Sequence, residues 1–266
     1  MPDKRSEGRS KRKKKGLAFA AVLAVLALIM LILLFAPFLN IHSIEVYGEN
    51  HYNEDEILNL SGILPGENGF RQIPLSPEAI LSLRLTEAER KLKALPYVKS
   101  AVVRLVFPDT VAVTITERTP AAYIVYLGSY LTVDEEGYVL EVTSTAPSEE
   151  LKELRGIHFT KYAVGGRLEA DNISLVRLGV DVLNAVKNSD SSSKFVMWDV
   201  LDWVDMVGSE SAMLSLDRRV VVRFDPSDKL QYTIDFTKQI FFTKLSSHEA
   251  GRLEFLNNAD PSFIPE

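Results

Sequence analysis

The chain has 266 residues, of which 46% are hydrophobic and 25% charged, with a formal net charge of −6. That balance suits a protein with a packed core and excludes a fully disordered one; without a strict glycine period it is not collagen-like either. Cysteine is absent, which excludes a disulfide framework, thiolate-held zinc, iron–sulfur clusters and a thiol nucleophile, while leaving the compartment open.

Charge is distributed unevenly. Residues 1–15 hold eight basic side chains, five of them in the run Lys11 to Lys15, against Asp3 and Glu7; this segment is +6 and the remainder −12. Leu17 to Ala36 is then a run of 20 residues drawn only from Ala, Val, Leu, Ile, Met and Phe. At about 1.5 Å per residue such a helix is about 30 Å long, the thickness of a bilayer's hydrocarbon core. The run is longer than the apolar region of a cleaved signal peptide, which spans about 7–15 residues, and Ala36-Pro37-Phe38-Leu39 is a poor cleavage site. A buried core helix rarely lacks polar residues over such a length. The sequence therefore predicts a basic cytoplasmic tail (1–16), a transmembrane helix (17–38) and an exported remainder, because lysine and arginine flanking a span stay in the cytoplasm. The basic run also suits anionic headgroups of the lipid bilayer. Without an accompanying aromatic platform it gives no reason to expect nucleic acid as a partner.

From Ile41 to Tyr47 apolar and polar residues alternate, predicting a half-buried strand, and Gly48-Glu49-Asn50 reads as a turn. Asn53 with Glu56 three residues later is a capping-box pattern for a short helix ending at Gly62. Ser76-Pro77 starts a second helix, predicted to run to Leu95, with Leu81, Leu85, Ala88, Leu92 and Leu95 on one stripe. Two strands follow, carrying Ala101, Val103, Leu105 and Phe107 and then Val111, Val113 and Ile115, separated by the turn Pro108-Asp109-Thr110. Strand, helix, helix, strand, strand in under 80 residues predicts a small α+β sandwich with two helices on a three-stranded sheet.

These segments resemble the POTRA domain of the FtsQ/DivIB family of bacterial division proteins. The resemblance rests on Ile44 to Asn50, Gly66-Glu67-Asn68, Leu95 to Ala101, and above all Val103 to Thr110 continuing through Glu117-Arg118-Thr119-Pro120, in that order behind one N-terminal span. The Gly48-Glu49-Asn50 turn is one residue longer than the family's usual Gly-Asn turn.

A second exported domain is predicted over 119–258, followed by a short tail, 259–266. Ala122 to Tyr126, Tyr130 to Asp134 and Tyr138 to Val142 read as strands, with a turn at Glu135-Glu136-Gly137. Leu154-Arg155-Gly156 is a short segment before a loop. Asn172 to Lys187 is an amphipathic helix, Asn188 to Ser193 a polar loop, and residues 195–224 suit an antiparallel sheet. Ser227 is expected to cap a last helix, after which Arg252, Leu253, Glu254, Phe255 and Leu256 form the final strand. The predicted fold class is thus α+β: a transmembrane helix, a POTRA-like domain and a mixed antiparallel-sheet domain with helices.

The four histidines (His42, His51, His158, His248) lack metal-ligand spacing, and the chain has no P-loop, dinucleotide fingerprint or nucleophile-elbow serine. Asp134-Glu135-Glu136 sits in a turn, where acidic residues are ordinary. Trp198 and Trp203 read as packing residues of a core or interface. The expectation is a protein that is not an enzyme and needs no cofactor or metal.

The family resemblance implies a bitopic divisome scaffold in the cell membrane at the septum. It also implies partners of the FtsB/DivIC and FtsL types, which are membrane-anchored coiled coils, and partner contacts on the C-terminal strand and its preceding helix. Arg252 to Leu256 are accordingly the candidate partner-binding residues, on the expectation that this strand lies at a sheet edge and that the Pro-rich end beyond Asn257-Asn258 does not pair. Two alternatives differ in class. A POTRA-containing transport or assembly module lacks a barrel-sized run of strands here, and a membrane-anchored envelope hydrolase lacks a catalytic constellation.

Overall fold

The computed structural model describes residues 4–48, 51–191, 194–255 and 261–265. It divides into two compact units, residues 1–117 and 118–266.

In the first unit, α1 (Lys4–Phe35) is one continuous helix, so helical backbone extends through most of the segment predicted as a tail. Within it, Leu17–Phe35 is long and apolar enough to cross a membrane, with a mean hydropathy of 3.2 and none of it buried. A 3-10 turn (Pro37–Leu39) leads into β1 (Ser43–Tyr47). The helix α2 (Glu54–Ser61) carries the predicted capping box: Glu56 N donates to Asn53 Oδ1 at 2.8 Å and Asn53 N to Glu56 Oε2 at 3.1 Å. Glu49 and Asn50 of the predicted turn lie outside the described residues.

A second 3-10 turn (Gly69–Gln72) is followed by α3 (Pro77–Ser82) and α4 (Thr86–Leu92). The single helix expected from Ser76 to Leu95 is therefore two. Its break has a physical cause in the strand alongside. With β2 (Val98–Val106) lying at a sheet end, Leu105 N donates to Leu83 O at 2.8 Å and Leu85 N donates to Val103 O at 2.9 Å. Residues 83–85 thus leave the helix to bond to β2. Leu83 takes a left-handed conformation (φ 53°) to make the turn. Leu81, assigned to the buried stripe, is instead 87% exposed.

The strand β3 (Thr110–Glu117) completes a sheet of order β1-β3-β2, β1 pairing parallel and β2 antiparallel to it. Ala101, Val103 and Leu105 on β2 and Val111, Val113 and Ile115 on β3 are buried with Ile57, Leu85 and Leu92 from the helical layer. Phe107, placed on the same face by its alternation, is exposed beyond the end of β2.

The second unit opens with β4 (Ala122–Tyr126), β5 (Ser129–Val133), β6 (Val139–Thr143) and β7 (Glu153–Arg155). A small pair, β8 (Phe159–Lys161) with β9 (Glu169–Ala170), precedes α5 (Ser174–Asp190). Then come α6 (Met197–Val200), β10 (Leu201–Gly208), β11 (Ser211–Leu216), β12 (Val220–Phe224), α7 (Leu230–Thr243), β13 (Gly251–Glu254) and β14 (Ser262–Pro265). Nine of these strands form one mixed sheet of order β14-β13-β12-β11-β10-β7-β4-β5-β6. Val176, Val182, Leu183 and Val186 of α5 and Ile234 and Phe241 of α7 are buried in one core with Val204, Leu214, Val222 and Leu253 of the sheet. The last helix starts at Leu230 rather than at Ser227: the Ser227 N–H and hydroxyl both bond to Asp225 Oδ1, closing a local turn instead of capping.

Candidate partner-binding site

The C-terminal strands corrected the expectation of an edge at Arg252 to Leu256. β13 is an inner strand. On one side it pairs parallel with β12, Arg252 opposite Val221 and Leu253 opposite Val222. On the other it pairs antiparallel with β14, Arg252 opposite Ile264 and Leu253 opposite Phe263. Both rows of its backbone groups face a neighbouring strand, so it does not present the open template that an edge strand offers. Its side chains alternate as a strand dictates: Leu253 is 2% exposed and belongs to the core, whereas Arg252 points to solvent, its Nη1 3.3 Å from Glu254 Oε1. Phe255 is buried, packs edge-on against Phe236 of α7 and donates its N–H to Arg223 O at 2.9 Å. Leu256 lies outside the described residues.

The end of the sheet on this side is β14, in the Pro-rich segment expected not to pair. Pro265 closes the strand, and an edge is where a missing N–H is tolerated. Between the prolines, Phe263 packs on the core and Ile264 on the opposite face is 49% exposed. The alternation of Ser262-Phe263-Ile264 was the signal available. On α7, Tyr232 is exposed and stacked on Phe236, ring centroids 5.8 Å apart.

The other residues singled out have structural roles. Asp134 is buried and held by Arg118 Nη1 at 2.5 Å, and its Oδ1 accepts from Glu136 N and Tyr138 N at 2.9 and 2.8 Å. Arg118 also bonds Glu136 and lies 3.4 Å over the Tyr138 ring, so this acidic group fastens the beginning of the second unit. Trp198 donates Nε1 to Glu149 O at 3.2 Å and carries Lys187 4.3 Å above its ring. Trp203 lies under Arg155 at 4.6 Å. Among the described residues no group of three or more His, Asp or Glu side chains is arranged to hold a metal ion.

A single apolar span joined to a compact three-stranded module defines the class, and residues 39–118 match the family model of the POTRA domain, FtsQ-type. Among the described residues the chain thus has one helix long and apolar enough to cross a membrane, followed by such a domain. It is 30% identical over 157 residues to the cell division protein FtsQ of Corynebacterium glutamicum, covering 59% of this chain and 60% of that protein. It is 24% identical over 164 residues to the cell division protein DivIB of Clostridium acetobutylicum, covering 62% and 61%. The chain thus spans about 60% of the length of these curated relatives. The extracytoplasmic domain of DivIB from Geobacillus stearothermophilus aligns at 12% identity and a TM-score of 0.30, over 50% of this chain and 99% of that one. Residues 39–118 thus belong to the FtsQ-type POTRA family, and over about 60% of its length the chain is similar to the FtsQ and DivIB cell division proteins.

Proposed function

We propose that this protein is a non-enzymatic scaffold of bacterial cell division, anchored by α1 with its N-terminus in the cytoplasm and both units after the span exported. Its partners in this reading are membrane-anchored coiled-coil division proteins of the FtsB/DivIC and FtsL types. One observation carries the binding mode: β14 stands at the end of a nine-stranded sheet with one side unpaired by any described strand. An extended segment of a partner adds there as a tenth strand, held by main-chain bonds and by contact with Ile264. The cytoplasmic basic cluster supports the orientation, and kinship with FtsQ and DivIB supports the division role.

The test is capture of the two partner types by the full-length protein in detergent, with wild type and Ile264→Asp. An aspartate on an edge strand opposes strand addition, and at a half-exposed position it leaves the fold intact. Loss of capture with unchanged circular dichroism is the expected result. Undiminished capture by a folded Ile264→Asp protein refutes the β14 edge as the docking site, and failure of a fluorescent fusion to reach the division site refutes the division role.

A further inference from the structure

The junction between span and POTRA domain holds an apolar cavity of about 290 Å³, at the lower end of the roughly 300–1,000 Å³ typical of ligand pockets. One wall is the outer end of the span itself, Met30, Leu34 and Phe35; the other is the segment after β1, with Phe70, Arg71 and Ile73. Among the described residues Arg71 is the only polar one lining it. Its position is built: Nε donates to Leu34 O at 3.1 Å and the guanidinium lies 4.7 Å over the Phe35 ring. Asn68 beside it donates Nδ2 to Leu33 O and Ala36 O at 3.2 and 3.1 Å. The bonds to Leu33 O and Leu34 O satisfy carbonyls that the last turn of α1 leaves without helical partners, and they fix a cation at the level where the span ends. Among the described residues no carboxylate pairs with it. Leu75, which also lines the cavity, is 84% exposed, an arrangement that is unfavourable against water and favourable against hydrocarbon.

We propose that this cavity is an outer-leaflet phospholipid site, with an acyl chain against Phe70, Ile73 and Leu75 and the phosphate on Arg71. The occupant follows from continuity. Three of the lining residues belong to the helix that crosses the bilayer, so the cavity opens at the depth where acyl chains meet headgroups, and a cation at the end of an apolar slot matches a phosphodiester at the end of an acyl chain. The POTRA domain then rests on the membrane through one held lipid. The inference depends on α1 spanning the bilayer, and the experiment separates the two.

The sequence contains no cysteine, so Leu75→Cys and Val25→Cys each give the full-length chain a single site for a bimane fluorophore. The proteins are reconstituted in vesicles of phosphatidylethanolamine and phosphatidylglycerol containing brominated acyl chains. Quenching at both positions is expected. Quenching at Val25 without quenching at Leu75 overturns the lipid site and leaves the span intact, the cavity then being suited to another polypeptide; no quenching at Val25 overturns both. Native mass spectrometry of the full-length protein reads the phosphate contact. Wild type and Arg71→Lys retain one phospholipid, and Arg71→Gln retains it about tenfold less well, the loss expected for one charge-assisted contact. Equal retention by Arg71→Gln overturns the assignment of Arg71 to the headgroup.

Discussion

Removing the Glu89 carboxylate is expected to loosen the edge of the POTRA sheet. Glu89 is 3% exposed, and it is held on α4 against the outer side of β2. It receives Arg84 Nε at 2.7 Å, Arg84 Nη2 at 2.5 Å and Val103 N at 3.0 Å. The Leu83 and Leu85 bonds serve Leu105 N and Val103 O, the next backbone groups along this edge of β2, and the Glu89 side chain supplies the acceptor for Val103 N. In Glu89→Ala, Val103 N–H is left buried without a partner, which costs about 1–3 kcal/mol. Arg84, a third exposed, rehydrates and adds less than a fully buried cation would. The sum is about 3 kcal/mol. Glu89→Gln keeps an acceptor for Val103 and loses the charge, for about 1–2 kcal/mol. Hydrogen exchange of the full-length protein in micelles reads this at the Val103 amide, against Val113 on β3 as an internal reference. A loss of protection smaller than tenfold at Val103 in Glu89→Ala, equivalent to under about 1.4 kcal/mol, refutes the reasoning. The effect also carries a pH signature. Burial pushes the Glu89 carboxyl up, but the Arg84 fork and the Val103 N–H outweigh it and hold it below the ordinary value. A carboxyl depressed in the folded state contributes fully above its unfolded pKa, about 4.3, and loses that contribution as pH falls through the folded value. The gap between wild type and Glu89→Gln therefore closes on acidification below about pH 4.

Two further expectations concern the second unit, and both tryptophans, Trp198 and Trp203, lie in it, so their emission follows its unfolding selectively. Lys238 is buried, its Nζ bonded to Ser189 O at 3.0 Å and Asp190 Oδ1 at 2.5 Å; Lys238→Met removes the cation from that carboxylate, leaving it the Met197 and Trp198 N–H donors, and lowers stability by about 2 kcal/mol. Gly156 has φ +77° and a Cβ there would lie 2.3 Å from Met206 O, so Gly156→Ala costs at least about 2 kcal/mol; thermal midpoints unchanged in either variant contradict these accounts.

What was legible in the sequence follows the range of the interactions involved. The span and the alternation of β2 and β3 are written in nearest neighbours, and so is the Asn53 capping box. The split of the Ser76–Leu95 helix was not, although its leucines recur at helical spacing: the unfilled side of β2, distant in sequence from Leu83, competes for the same backbone and wins. The partner strand failed for a related reason. Whether Arg252 to Glu254 lies at an edge depends on the order of nine strands, and a two-proline tail was read as unable to pair although an edge position tolerates proline at its end. Asn68 stands out in the sequence only as part of Gly66-Glu67-Asn68 and Arg71 not at all, because their partners are carbonyls more than 30 residues earlier.

The joint between α1 and the POTRA domain has a mechanical consequence. Ala36, Leu39 and Ile41 are buried in the domain's core, and Asn68 and Arg71 grip the last turn of the helix, so the connection transmits torque like a keyed shaft. Each residue inserted into the span before Met30 turns the domain by about 100° about the helix axis and lifts it about 1.5 Å; four residues bring it back to within about 40° at a height of about 6 Å. The azimuth at which this module meets its neighbours along the membrane is therefore set by the number of residues in the span, and a helix chosen for apolarity alone does not replace it.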